Sequence, residues 1–314
     1  MKKNKYEIDM CNGTLMDKLI SFAIPLMLSG ILQLMFNAVD IIVVGRFSGS
    51  QSLAAVGSTT ALINVFTNLF IGISLGANVL AARYYALEKS KEMSETVHTA
   101  IAFALISGVG MAVIGLLMAK PALELMGTPD DVIAKSTLYM RIYFCGMPFF
   151  MLYNYGAAIL RAVGDTKRPL IFLLISGVIN AILNLFLVIQ FHLDVAGVGI
   201  ATVISQLISC ILVLRCLYCS ESSYQFRPEK LNIRSRYLRQ IFEVGIPAGI
   251  QSTVINLSNA MLQSSVNSFG SISMAGYTAA NNIFGFLYVS VNSVTQACMS
   301  FTSQNYGVKK LKRM

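Results

Sequence analysis

Residues 244–308 hold no Asp, Glu, Lys or Arg, an uncharged run of 65 positions. About 20 apolar residues in a helix cross the roughly 30 Å of hydrocarbon in a bilayer, so this run is long enough for two crossings. Gly270, Ser271 and Ser273 supply the break between them. Measured against the same length, the other uncharged stretches bring the expected total to eight spans, at 18–46, 53–82, 96–119, 140–160, 169–191, 195–214, 244–269 and 274–307. Composition points the same way. With 55% hydrophobic and 12% charged residues, the chain has too little polar surface to cover a soluble globule. The expected fold class is all-α integral membrane. The first apolar segment is too long for a signal-peptide core and has no convincing cleavage site, so it is expected to stay in the mature protein.

Lysine and arginine set the expected orientation, because they accumulate in cytoplasmic loops. With the N-terminus inside, 20 of the 24 basic residues fall on the inner side, leaving Arg46, Lys120, Lys135 and Arg141 for the outer side. A miscounted span would scramble that separation. The net charge of +9 then reflects loop asymmetry, and no nucleic-acid partner is expected. The six cysteines lie mostly in apolar segments, and the lone CxxC at Cys216 and Cys219 lacks the second ligand pair of a zinc site. His98 and His192 belong to no nucleophilic triad or ligand cluster, and there is no glycine-rich phosphate loop. Neither an enzyme nor an ATP-driven pump is expected, and no cofactor or bound metal.

Compared with itself at an offset near 221, the chain repeats. Phe22-Ala-Ile-Pro25 matches Val244-Gly-Ile-Pro247, Asn37 falls on Asn259, Ser52-Leu-Ala-Ala55 matches Ser273-Met-Ala-Gly276, and Tyr85, Lys89 and Lys91 fall on Tyr306, Lys310 and Lys312. Helices seven and eight restart helices one and two. The expected organisation is a complete six-helix bundle at 1–219, a cytoplasmic connector at 220–243 with a short amphipathic helix, and the first two helices of a second bundle at 244–314. A parent of twelve helices and about 440 to 460 residues follows from doubling the period.

Polar side chains inside apolar segments mark faces turned toward other helices or water. Gln33, Asn37 and Asp40 form one stripe of the first helix; Ser176, Asn180 and Asn184 form another on the fifth, and Asn256, Asn259, Gln263 and Asn267 a third on the seventh. Interhelical hydrogen bonding can account for the amides. Asp40 differs, because a carboxylate at the bilayer centre costs about 2.5 to 3.5 kcal/mol and such residues mark ion or proton pathways. Its repeat partner is Leu262, which places the expected ion chemistry in the first bundle.

Several stretches together resemble the multidrug and toxic compound extrusion family, the MATE transporters. They are Asn37-Ala-Val-Asp40-Ile-Ile-Val-Val-Gly45, Ser52-Leu-Ala-Ala-Val-Gly57, Ile159-Leu-Arg-Ala-Val-Gly-Asp-Thr-Lys-Arg-Pro169 and Asp194-Val-Ala-Gly-Val-Gly-Ile-Ala-Thr202-Val-Ile-Ser-Gln206. The resemblance implies two six-helix bundles around a central cavity and export of amphipathic, often cationic compounds in exchange for Na+ or H+. Asp40 matches the family's coupling acid, Asn184 and Thr202 match its polar partners, and Asn180 and Asn154 are further neighbours. Val188 stands where many relatives carry a second acid. Gln33, Met35, Asn37, Asn256, Asn259 and Gln263 are the expected substrate-cavity residues, and Met27 and Met261 would suit a cavity that tolerates varied shapes. The expected setting is the cell membrane, with the N-terminus cytoplasmic and the protein a monomer. A lipid-linked saccharide flippase of similar architecture and a non-transporting fragment are the alternatives.

Overall fold

The computed structural model describes residues 6–267 and 271–313, which are helical throughout apart from turns and loops and include no strand. The helices are α1 (Leu15–Phe47), α2 (Ser50–Ala86), α3 (Ser90–Leu125), α4 (Asp130–Cys145), α5 (Met147–Ala162), α6 (Lys167–Leu185), α7 (Asp194–Tyr218), α8 (Ser235–Asn267) and α9 (Ser271–Gly307). Five segments are both long and apolar enough to cross a membrane: α1, α2, α3, α7 and the run Lys167–Gln190, which joins α6 to a π-helical turn at Phe186–Gln190. The protein is a membrane protein of the all-α class. α8 and α9 have the length, at 33 and 37 residues, but carry many Ser, Asn and Gln.

The expected fourth span is a broken one. It starts at Asp130, well before position 140, and divides into α4 and α5 at Gly146. A Cβ on Gly146 would fall 2.6 Å from Oε1 of Gln206 and 2.9 Å from Cγ2 of Val203, both on α7, so any larger residue would have to push those side chains aside. Pro148 follows at the start of α5, where its missing N–H costs no intrahelical bond. By contrast, Pro25 and Pro247 lie inside unbroken α1 and α8.

The first seven helices surround one core built from Met140, Phe144, Met147, Met151, Tyr155, Ile159 and Leu160, all nearly or fully buried. Small residues let the helices meet. Gly108 faces the Pro148 backbone, Gly115 faces the Phe144 ring, and Gly156 faces Val213. Behind Gly164 (φ +90°), the buried Asp165 carboxylate pairs with the Arg168 guanidinium and accepts the Arg168 N–H, which closes the turn from α5 to α6. A buried pair of this kind becomes a liability when one partner is lost.

α8 packs along α2, and α9 packs against α1 and α2. By the sequence repeat, α2 with α8 and α1 with α9 are corresponding pairings, as a pseudo-two-fold axis would relate them. Both are closest at one end of the molecule. Gly72 opposes Gly249, Gly76 opposes Ile241 and Gly245, and Phe22 and Leu26 of α1 bury Ala297 and Phe301 of α9. Toward the other end Val254, Leu257 and Met261 of α8 and Ile283, Phe284 and Leu287 of α9 are exposed. The amphipathic pattern expected of a short helix in the connector runs instead into the first turns of α8, where Tyr237 and Ile241 are buried while Arg236 and Arg239 stay outside. Before it lies only a 3-10 turn at Pro228–Lys230.

A Cβ at Gly72 would lie 2.2 Å from the Gly249 Cα, a backbone atom that cannot swing aside. Gly72→Val is therefore expected to force α8 off α2 and to cost about 1–3 kcal/mol or more of stability. Gly57→Ala, where a Cβ meets nothing within 4 Å, is the control. Thermal unfolding of the purified protein in detergent checks the difference.

Candidate functional site

α1 and α6 run side by side in the same direction, and their separation is set by Gly177, whose missing side chain makes room for the Phe36 ring. One turn further along α1 this close approach brings Asp40 against Asn184. Asn184 is fully buried, and its Nδ2 donates to Asp40 Oδ1 and, at 3.2 Å, to Asn180 Oδ1. The spacing of Asn180 and Asn184 on one helix face is what puts both amides into the contact.

The site is rich in acceptors and poor in donors. Asn184 Oδ1 is buried without a hydrogen-bond donor, as is Gln206 Oε1 beside it on α7. Tyr139 and Tyr143 of α4, their rings 6.3 Å apart, line the same region: both sense the Asp40 charge, and Tyr143 hydrogen-bonds with Gln206. Buried acceptors without donors call for a proton, a water or a cation. A carboxylate, amide oxygens and tyrosine hydroxyls are the hard oxygen donors that suit an alkali or alkaline-earth cation, or a proton carried by the carboxylate. Among the described residues there is no cluster of His, Cys, Asp and Glu with the composition of a transition-metal site.

Immediately beyond Asn184 the α-helix widens into the π turn Phe186–Gln190, with Val188 buried. Such turns concentrate at functional positions because one extra residue shifts the facing of everything that follows. His192 and Asp194, the first residue of α7, then adopt positive φ of +51°. Lys135 of α4 reaches Asp194 at 2.7 Å and Ser52 of α2 at 2.9 Å, tying three helix ends together at the mouth nearest the site.

Not every expected residue joins this cluster. Thr202 donates to the Val198 carbonyl and Asn154 to the Phe150 carbonyl, each one turn back on its own helix. Gln33, Met35 and Asn37 are exposed on α1, and Asn256 and Asn259 are exposed on α8. Met27 is half-buried and Met261 exposed, and the Gln263 side chain lies outside the described residues. Tyr139, Tyr143 and the role of Gln206 escaped the sequence reading. Their signal was an i, i+4 tyrosine pair, hidden because the fourth span was started at 140.

Known proteins resemble this chain in sequence and fold. A family model described as MatE matches residues 25–186 and 247–314. A probable multidrug resistance protein of Bacillus subtilis, YoeA, is 32% identical over 93% of this chain, and the chain covers 65% of it. The multidrug export protein MepA of Staphylococcus aureus is 22% identical over 92% of the chain, with 64% of its own length covered. The chain thus spans slightly less than two thirds of these relatives. A solved structure of a multidrug resistance MATE family transporter in an outward-facing conformation superposes with a TM-score of 0.92 at 21% identity, over 100% of this chain and 69% of that one.

Asn184→Ala removes the amide that meets Asp40 and leaves a buried carboxyl without its partner. It is expected to lower stability by about 1–3 kcal/mol, whereas Asn154→Ala, which breaks only a bond within its own helix, is expected to cost clearly less. Parallel thermal unfolding curves of the two variants check the order.

Proposed function

The chain belongs to the MatE family, and we propose that it forms the ion-coupled part of a secondary antiporter that exports amphipathic, often cationic compounds in exchange for Na+ or H+. The observation that carries this reading is the contact of Asp40 with Asn184, whose Nδ2 donates to Asp40 and also to Asn180 Oδ1, in the first repeat unit, with no basic side chain bonded to the acid. The names of the relatives, multidrug resistance and multidrug export proteins, support the substrate class. An ionised carboxylate is costly at this depth. Taking up a proton or Na+ offsets the cost, and losing it favours a different packing of α1 against α6.

The exposed faces of α8 and α9 support an opening between the two repeat units at the end where Lys135 and Asp194 lie. We assign that end to the outside of the cell membrane, with the N-terminus cytoplasmic, following the inner clustering of basic residues. In the proposed outward-open arrangement the exposed Gln33, Met35 and Asn37 of α1 and Asn256 and Asn259 of α8 would line the opening. Substrate contacts would be largely apolar and polarisable, which suits a cavity without fixed charges. Ion loading at Asp40 and substrate release are then alternatives. Rocking of one repeat unit against the other exposes the cavity to either side. The protein acts as a monomer in this scheme.

In vesicles carrying the complete chain, efflux of a cationic dye under separate Na+ and proton gradients identifies the coupling ion. Asp40→Asn keeps the size of the side chain and removes its charge. It is expected to abolish the dependence of efflux on that gradient while leaving the amount of folded protein unchanged. Full gradient-driven efflux by Asp40→Asn would overturn the reading.

A further inference from the structure

At the end where the two repeat units meet, residues 6–13 lie across the seam. The Glu7 carboxyl accepts hydrogen bonds from Tyr85 Oη of α2 and from Tyr224 Oη of the loop after α7, each at 2.7 Å. Ile8 rests on the backbone of Gly164, where a Cβ would fall 2.4 Å from the Ile8 carbonyl oxygen. These contacts belong to the first unit and to the connector that follows it. Those of the next five residues belong largely to the second. Met10 is 1% exposed in a cluster with Phe22, Leu26, Ala297 and Phe301, and its carbonyl accepts from Asn305 Nδ2 at 3.1 Å. Lys310 Nζ donates to the Cys11 carbonyl and to Asn12 Oδ1, both at 2.9 Å, and Arg313 Nη1 donates to the Gly13 carbonyl at 2.9 Å.

Beneath this segment the seam is closed by buried polar bonds between the units. Ser300 donates to Asn78 Oδ1 at 3.0 Å, and Gln304 donates to the Ala162 carbonyl at 2.7 Å. Opening the molecule at this end would leave these groups unpaired unless water entered, so separation here costs the desolvation already spent on them. A short segment bonded on both sides of the seam adds a tether that must detach on one side before the units part.

We propose that residues 6–13 are a latch that holds the cytoplasmic end closed in the outward-open form and releases from Lys310 and Arg313 when the inward-open form appears. The proposal rests on the rocking transport cycle described above. It also gives a use to the basic cluster at the end of α9. Lys310, the repeat counterpart of Lys89, bonds to the segment, whereas Lys89 faces Glu92 at 3.9 Å on its own helix. The two units are therefore not interchangeable at this end, and the N-terminal segment breaks their symmetry.

The test is a distance measurement on the complete chain in vesicles. Its native cysteines are replaced, and spin labels are placed at Lys91 and Leu311, both exposed and on opposite sides of the seam. Pulsed electron resonance then reads the closed and open populations. Glu7→Ala and Lys310→Ala, made separately, are expected to shift the closed-to-open ratio toward open by about tenfold, the equivalent of about 1.4 kcal/mol. Lys89→Ala, the symmetric counterpart, is expected to leave it unchanged. If Glu7→Ala lowers the yield of folded protein, Lys310→Ala at its exposed position still decides the matter. Distance distributions that superpose for Lys310→Ala and the parent overturn the latch. Failure of the antiporter reading looks different: the distances respond to Lys310→Ala, but no ion gradient drives efflux.

Discussion

Hydrocarbon offers no water to a polar group, and that one constraint organises the molecule. Every amide, hydroxyl and carboxyl on the apolar helices must face another helix, its own backbone or an opening. Most hydroxyls take the second route, as Thr202 does toward Val198 and Ser252 toward Ala248. Other groups reach between helices, and two sets of them bear on the proposed transport. One is the Asp40 contact within the first unit. The other is the seam between units, with Asn78, Ser300 and Gln304. In the proposed cycle these are the bonds that would change partners, because a bond between helices can be exchanged for water or an ion while a bond within a helix stays.

The glycines determine how closely the helices stand, and thereby which polar groups meet. Gly177 admits Phe36 and sets the α1 to α6 distance at which Asp40 and Asn184 touch. Gly72, Gly245 and Gly249 bring α2 and α8 to backbone contact at one end only. Contacts this close leave no room for a side chain between the two helices.

The sequence made the crossings legible because the length of an apolar run reports directly on bilayer thickness. Seven of the eight expected spans coincide with single helical segments. The fourth did not, since a break at Gly146 depends on the approach of Gln206 from α7, which nothing in the local composition announces. The stripe of Asn180 and Asn184 was readable from helical spacing. That Asn184 meets Asp40 while Thr202 and Asn154 turn back on their own helices depends on how α6, α7 and α5 are rotated, and rotation is decided by packing. The connector shows the same limit: its amphipathic pattern was visible, but only its packing on α3 and α2 makes it the beginning of α8.

By itself the sequence determined the membrane class, the repeat and the isolation of one carboxyl group, because each depends on lengths, intervals and residue chemistry along a single chain. Only the tertiary structure decided which amide partners that carboxyl, that two tyrosines and a glutamine share its surroundings, and that residues 6–13 bridge the two units. Those facts depend on distances between segments far apart in the chain, and such distances are fixed by which glycines let which helices touch.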